Sequence, residues 1–201
     1  IDKEVLPKPF QVCCDPTLKQ YAGTDMNGHY LYDSEGVKAR RVDNVVDGVL
    51  KGFLMSRVPL DGFPESNGHG RTSGGNDPVS RQSNLVIETT KPYSDAQLRD
   101  MLIAEARKQD KEYGYFFKTV TSGFTLTGDG GSINSFNVTP VEVYRVYTDG
   151  RPDELVRGVS MIGTPLAMFS HIVAGGDTPS VFTGSCGAES GWVPVTASSP
   201  A

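Results

Sequence analysis

The stretch VDNVVDGVL, Val42 to Leu50, sets the fold class. Valines and a leucine stand on both sides of Asp47-Gly48, and β-branched side chains favour strands. An Asp-Gly pair between two apolar runs predicts a two-residue hairpin, because only a primed turn matches the twist of the flanking strands. Such a hairpin excludes a helix anywhere from Val42 to Leu54.

Working outward, the preceding HYLYDSEGVKARR also reads as strand and tight acidic turn. One Asp and one Glu in YDSEG do not supply the ligand count of a calcium loop. Downstream, Val58 to Ser80 is dense in Gly, Asn, Ser and Pro. A loop this long is functional or disordered as a rule, so it is expected to be exposed and either poorly ordered or pinned by a neighbouring chain. SNLVIET then restores a strand. The long helix is SDAQLRDMLIAEARKQDKEYG, where Ser94 and Gln97 have capping-box spacing. Leu98, Met101, Leu102 and Ala106 share one of its faces, and Gly114 is placed to end it. Strands follow in YFFKTVTSGFTLTG, SFNVTPVEVYRVYTDG and ELVRGVSMIG. Thr164-Pro165 predicts the start of a second, short helix whose Leu166, Phe169 and Val173 form a buried face. SVFTG and GWVPVTA close the chain as strands around a turn holding Cys186. The expected class is a β-rich α+β domain, its sheet mostly antiparallel and barrel-like, with one long and one short helix.

Composition narrows the function. The chain has 201 residues, enough for one domain with a real core, and a net charge of −5 that argues against a nucleic-acid surface. No apolar run approaches the roughly 20 residues that span a bilayer. No secretory leader opens the sequence, and without an initiator methionine it is expected to be a piece of something longer. Three cysteines do not make a disulfide framework, so Cys13 and Cys14 read as reduced thiols in a strand and the expected compartment is the cytoplasm.

Candidate chemistry is sparse. Cys186, between Ser185 and Gly187, is a nucleophile, a metal ligand or a bystander; one cysteine does not decide among them. His29, His69 and His171 form no i, i+4 pair, and the loop position of His69 makes it a poor lone ligand. Arg71, Arg81 and Asn84, in SNGHGR and RQSN, are of the types that grip an extended peptide beside a strand edge, although a polar surface loop is the simpler reading.

In order along the chain, YDSEG, DGVLKGFLMSR, SNGHGR, RQSN, SGF (Ser122–Phe124), GTP (Gly163–Pro165) and CGAESGWVPV resemble the TldD/PmbA family. That family is described as modulators of DNA gyrase and understood as zinc-dependent peptidases. The resemblance spans residues 1–201 and covers only the family's C-terminal half. It implies that an HExxxH helix upstream carries two histidine ligands and the glutamate base that activates a zinc-polarised water. Cys186 then matches the third protein ligand. Because the PmbA or TldE members lack the metal ligands, Cys186 points to the TldD-like side. No HExxxH occurs here, so the catalytic base is expected outside this sequence, and within it zinc is expected to find one ligand. The implied partners are a peptide substrate and a second subunit, a like copy or a PmbA/TldE-like one, with no nucleic acid and no membrane. Arg71, Arg81 and Asn84 are expected to line the peptide channel. A non-catalytic module that docks peptides or a partner subunit is the alternative. A cysteine-nucleophile hydrolase would need His69 or His171 beside Cys186.

Overall fold

The computed structural model describes residues 1–126 and 134–200 and divides the chain into two compact units. Unit 1 is discontinuous, Ile1–Pro92 with Ala174–Ala201; unit 2 is Tyr93–Val173. In chain order, unit 1 contributes β1 (Phe10–Cys14), β2 (Val42–Val46), β3 (Val49–Leu50), β4 (Gly70–Arg71), β5 (Val79–Ser80) and β6 (Asn84–Thr89). Unit 2 follows with α1 (Asp95–Lys108), β7 (Tyr113–Leu126), β8 (Ser135–Tyr147), β9 (Glu154–Val156), β10 (Met161–Gly163) and α2 (Pro165–Ser170). The chain then returns to unit 1 as β11 (Pro179–Ala188) and β12 (Gly191–Pro200).

The principal sheet of unit 1 runs β11-β12-β6-β1-β2-β3. Every neighbouring pair is antiparallel except β12 and β6, which run parallel with Thr196 opposite Asn84. The class is thus α+β with mostly antiparallel sheets, as the sequence predicts. The barrel-like closure is not found: the sheet stays open, ending at β11 on one side and, on the other, at β3, whose outer edge bonds to residues 2–4. The 42–50 hairpin forms as predicted, with Val46 opposite Val49. Asp47 and Gly48 both take positive φ, 50° and 78°, as the primed turn requires. Cys13, Met26 and Val86 pack into one buried cluster beneath this sheet, with Leu18 and Tyr21 against it. Both cysteines of β1 are free thiols, and burial pushes the Cys13 pKa up to about 11.

In unit 2, β7 and β8 form a long hairpin extended by β9 and β10, all antiparallel. The last two residues of YFFKTVTSGFTLTG lie outside the described residues. The capping box is present: Gln97 N donates to Ser94 Oγ at 3.4 Å, and Ser94 N donates to Gln97 Oε1 at 2.9 Å. Gly114 does not end α1. The helix stops at Gln109, where Asp110 takes φ 54° and the next amide, of Lys111, donates to the Ala106 carbonyl at 2.9 Å, the Schellman pattern with aspartate in the usual glycine place. Gly114 lies instead in β7, where a Cβ would meet Leu102 Cδ1 at 2.6 Å; its small size seats the helix. The short helix begins at Thr164-Pro165 as predicted, but its buried face is corrected. It spans only six residues, so Val173 falls past its end, and Leu166 and Val173 are 68% and 73% exposed.

The loop from Val58 to Ser80 departs furthest from expectation. Its first part is exposed or half-buried, but Gly68 to Arg71 are buried within unit 1, and β4 pairs with β5. Asp33 and Glu35 organise it. Asp33 Oδ2 accepts from Gly70 N at 2.9 Å, and Glu35 Oε2 accepts from Arg57 N at 2.7 Å. The acidic turn of YDSEG thus supplies anchors for a segment whose own apolar surface is small.

Candidate functional site

Cys186 lies in strand β11, not in the turn expected for it. It pairs with Val193 of β12, and the turn comes later, at Glu189-Ser190 between the paired Ala188 and Gly191. The strand extends because Val193 and Val195, alternate residues of β12, are buried and draw β11 into register with them. Cys186 shares the face of Val193 and is half-buried.

The two predicted arginines, at either end of the paired strands β4 and β5, both reach this hairpin. Arg81 Nη1 donates to Ser190 Oγ at 2.8 Å and to the Gly191 carbonyl at 3.0 Å, while Nη2 donates to the Cys186 carbonyl at 2.5 Å. Arg71 Nη1 donates to the Gln82 carbonyl at 2.6 Å and the Pro194 carbonyl at 2.9 Å, with its guanidinium 4.9 Å above the Tyr30 ring. Burial pulls the Arg71 pKa below its ordinary value, opposed by the nearby Tyr30 and Cys14. Asn84 is placed apart from the arginines' acceptors. Its Nδ2 donates to the Asp15 and Leu18 carbonyls at 3.2 and 3.0 Å, pinning the chain after β1. All three side chains are buried, at 8%, 5% and 0% exposure.

Ser190 escaped the sequence reading. Besides accepting from Arg81, its carbonyl accepts from Ser73 N at 3.0 Å and Thr72 Oγ1 at 3.2 Å. The signal was the Ser-Gly pair between two apolar runs, which marks a turn and therefore a place another segment can grip.

His69 is corrected from a mobile loop residue to a fully buried one. Its N–H donates to the Met55 carbonyl at 3.3 Å and its Nδ1 pairs with Asn67 Oδ1 at 3.1 Å. Burial pulls its pKa down to about 4, so it is neutral in the folded chain. The unfolded chain binds the proton first, near the ordinary value of 6.5. His69 therefore favours folding above pH 6.5, and that contribution is lost as pH falls from there toward 4, by about 3 kcal/mol in full. Urea unfolding from pH 7 to pH 4 should show a steeper loss in the wild type than in His69→Gln. Parallel curves would refute the assignment. His29 Nδ1 pairs with the Pro16 carbonyl at 2.9 Å, and the exposed His171 Nδ1 with that of Ala167 at 2.6 Å. Among the described residues no histidine is hydrogen-bonded to Cys186 Sγ, so the arrangement that a cysteine nucleophile needs is not formed.

Among the described residues no three His, Cys, Asp or Glu side chains come together. The described residues do not by themselves fit a catalytic metal; Cys186 offers one half-buried thiol on a strand. No described helix is long and apolar enough to cross a membrane.

Residues 1–197 match the PmbA/TldA metallopeptidase C-terminal domain, and the chain belongs to that family. A protein of Archaeoglobus fulgidus named metalloprotease is 30% identical over 205 residues, covering 100% of this chain and 42% of its own length. TldE from Thermococcus kodakarensis shares the fold at TM-score 0.60 and 16% identity, over 100% of this chain and 41% of that one. A Thermotoga maritima protein, a proposed modulator of DNA gyrase, does so at 0.59 and 19%, over 100% and 39%. The chain spans 34% to 42% of the length of the curated relatives it matches.

Proposed function

We propose that the chain is the C-terminal domain of a TldD-like, zinc-dependent metallopeptidase acting on extended or unfolded peptides, with Cys186 its one metal ligand. The observation that carries this reading is the placement of Cys186 on a strand whose carbonyl, at the same residue, is held by a buried guanidinium. A ligand must arrive in a fixed direction, and a clamped hairpin supplies one. The likeness to proteins named metalloprotease supports the activity, and thiolate with imidazole donors favours zinc. The remaining donors and the general base belong to the part of the relatives that this chain does not span. The outer edge of β11, the free end of the sheet, offers an extended peptide a strand to pair with. Arg71 and Arg81 support that edge indirectly, by holding carbonyls of its hairpin, and Asn84 does so by fixing the chain after β1. The whole protein is a homo-oligomer or a heteromer with a PmbA/TldE-like subunit. Its free thiols suit the reducing cytoplasm.

The test is the full-length protein carrying this domain, assayed on an unstructured peptide. Cleavage should vanish with a chelator and return with zinc, and the 201-residue chain alone should be inert and hold zinc below stoichiometry. Absence of cleavage by the full-length protein under every metal tried would make the chain a docking module instead.

A further inference from the structure

We infer that Arg81 is the positioning residue of Cys186: its guanidinium fixes the strand that carries the thiol by binding both strands and the tip of one hairpin. The inference rests on the reading of Cys186 above only for its consequence in catalysis; the clamp itself stands on geometry.

A guanidinium presents five N–H donors in a rigid plane. Here three acceptors meet that plane: the Cys186 carbonyl on β11, the Gly191 carbonyl on β12 and the Ser190 hydroxyl between them. The two carbonyls sit on opposite sides of the turn, so one side chain sets both the separation and the twist of the strands next to the thiol. Arg71 repeats the device further along, holding Pro194 of β12 to Gln82. The intervening segment closes the ring through the Ser73 amide and the Thr72 hydroxyl, both donating to the Ser190 carbonyl. Gly191 leaves room for this; a Cβ there would lie 2.3 Å from Ser73 Oγ.

Energy argues that this is more than packing. Both guanidinium groups are buried, and among the described residues neither forms an ion pair with a carboxylate. Burying an unpaired charge costs several kcal/mol, and neutral carbonyls offset it less well than a carboxylate would. An apolar pair would hold two strands together at lower cost. What carbonyl-directed guanidinium groups add is direction: Arg81 fixes the backbone at Cys186 and Gly191 and the side chain of Ser190 between them. A peptide-lining arginine would point its donors outward. Arg81 points its donors at its own chain.

The test uses the full-length protein and two readouts. The first is the rate at which Cys186 reacts with the aromatic disulfide reagent DTNB, assigned by its loss in Cys186→Ser. Cys13 and Cys14 are buried and burial raises their pKa values, so they do not compete. Arg81→Ala should raise the Cys186 rate about tenfold by loosening the hairpin, Arg81→Lys less, and Ser190→Ala, which removes one acceptor, less again. The second is the split of kcat from KM on an unstructured peptide: positioning lowers kcat and leaves KM in place. A raised KM with kcat kept would make Arg81 a peptide-contacting residue and overturn the inference. If Arg81→Ala does not fold, wild-type thiol rates in both Arg81→Lys and Ser190→Ala overturn it equally. Should Cys186→Ser keep its metal and activity, the reading of Cys186 as a ligand fails while the thiol rates still report on the clamp.

Discussion

Cys186→Ser in the full-length protein should lose bound zinc and peptidase activity together, by at least about a hundredfold in kcat/KM. A hydroxyl is a hard, weakly acidic donor where a metal with imidazole ligands favours a thiolate, and the exchange changes side-chain volume little. Cys186 is half-buried on a strand held by ten paired positions between β11 and β12, so folding does not depend on its sulfur. Circular dichroism and the melting temperature should therefore stay near those of the wild type. Metal content by plasma emission and peptide turnover, measured on the same preparation, decide it. Full occupancy and full activity in the serine variant would return Cys186 to the bystanders.

The second large effect is expected at Gly68, where alanine should destabilise the domain by about 3 kcal/mol. Two costs add. Gly68 holds φ at 79°, where a side chain strains the backbone, and its Cβ would come within 2.5 Å of the Lys38 carbonyl oxygen and 2.9 Å of Ala39 Cα. Those are backbone atoms of the segment that the YDSEG turn fixes, so they cannot swing aside as a side chain could. The Gly68 carbonyl also accepts from Tyr30 OH at 2.9 Å, and any shift moves the neighbouring His69 out of its buried seat. Gly74→Ala separates the two costs: its φ is 67° but nothing lies within 4 Å of its Cβ position, so strain alone applies there, about 1 kcal/mol. Urea titration of both variants should show Gly68→Ala falling well below Gly74→Ala. Equal losses would mean that the close approach to Lys38 carries no weight.

What the sequence disclosed was local. Asp47-Gly48 is legible because a turn's φ angles are set by its own two residues, and Ser94 with Gln97 because a cap bonds within one helical turn. The end of α1 was misread at Gly114 because aspartate rarely takes the left-handed position that Asp110 holds, while the true reason for Gly114 is a contact with Leu102 from another element. The 58–80 loop was misread for the same reason on a larger scale. Its own residues bond one another only locally; Asp33 and Glu35, distant in sequence, and Met55 just before it supply the anchoring acceptors. Within the candidate site, Cys186, Arg71 and Arg81 were picked out by residue type and by resemblance, but the direction in which the arginines point was not in the sequence. It follows from β11 and β12 crossing over the 68–81 segment, and no local pattern records that crossing.

The discontinuity of unit 1 has a temporal side. Strand β12 enters the sheet between β11 and β6, and residues 85 to 195 intervene between the first paired positions, Asn84 and Thr196. Closing so long a loop is slow compared with forming the hairpins of either unit. During synthesis β1, β2 and β6 can assemble while unit 2 emerges, and the guanidinium groups of Arg71 and Arg81 then wait without their carbonyl acceptors. Only when both β11 and β12 have been made can the clamp engage and Cys186 take its place. A chain stalled before Gly191 lacks β12, so β11 has no strand to join it to β6, and Arg71 and Arg81 have no Pro194 and Gly191 carbonyls to hold: the order of translation makes the seating of Cys186 one of the last events in the folding of unit 1.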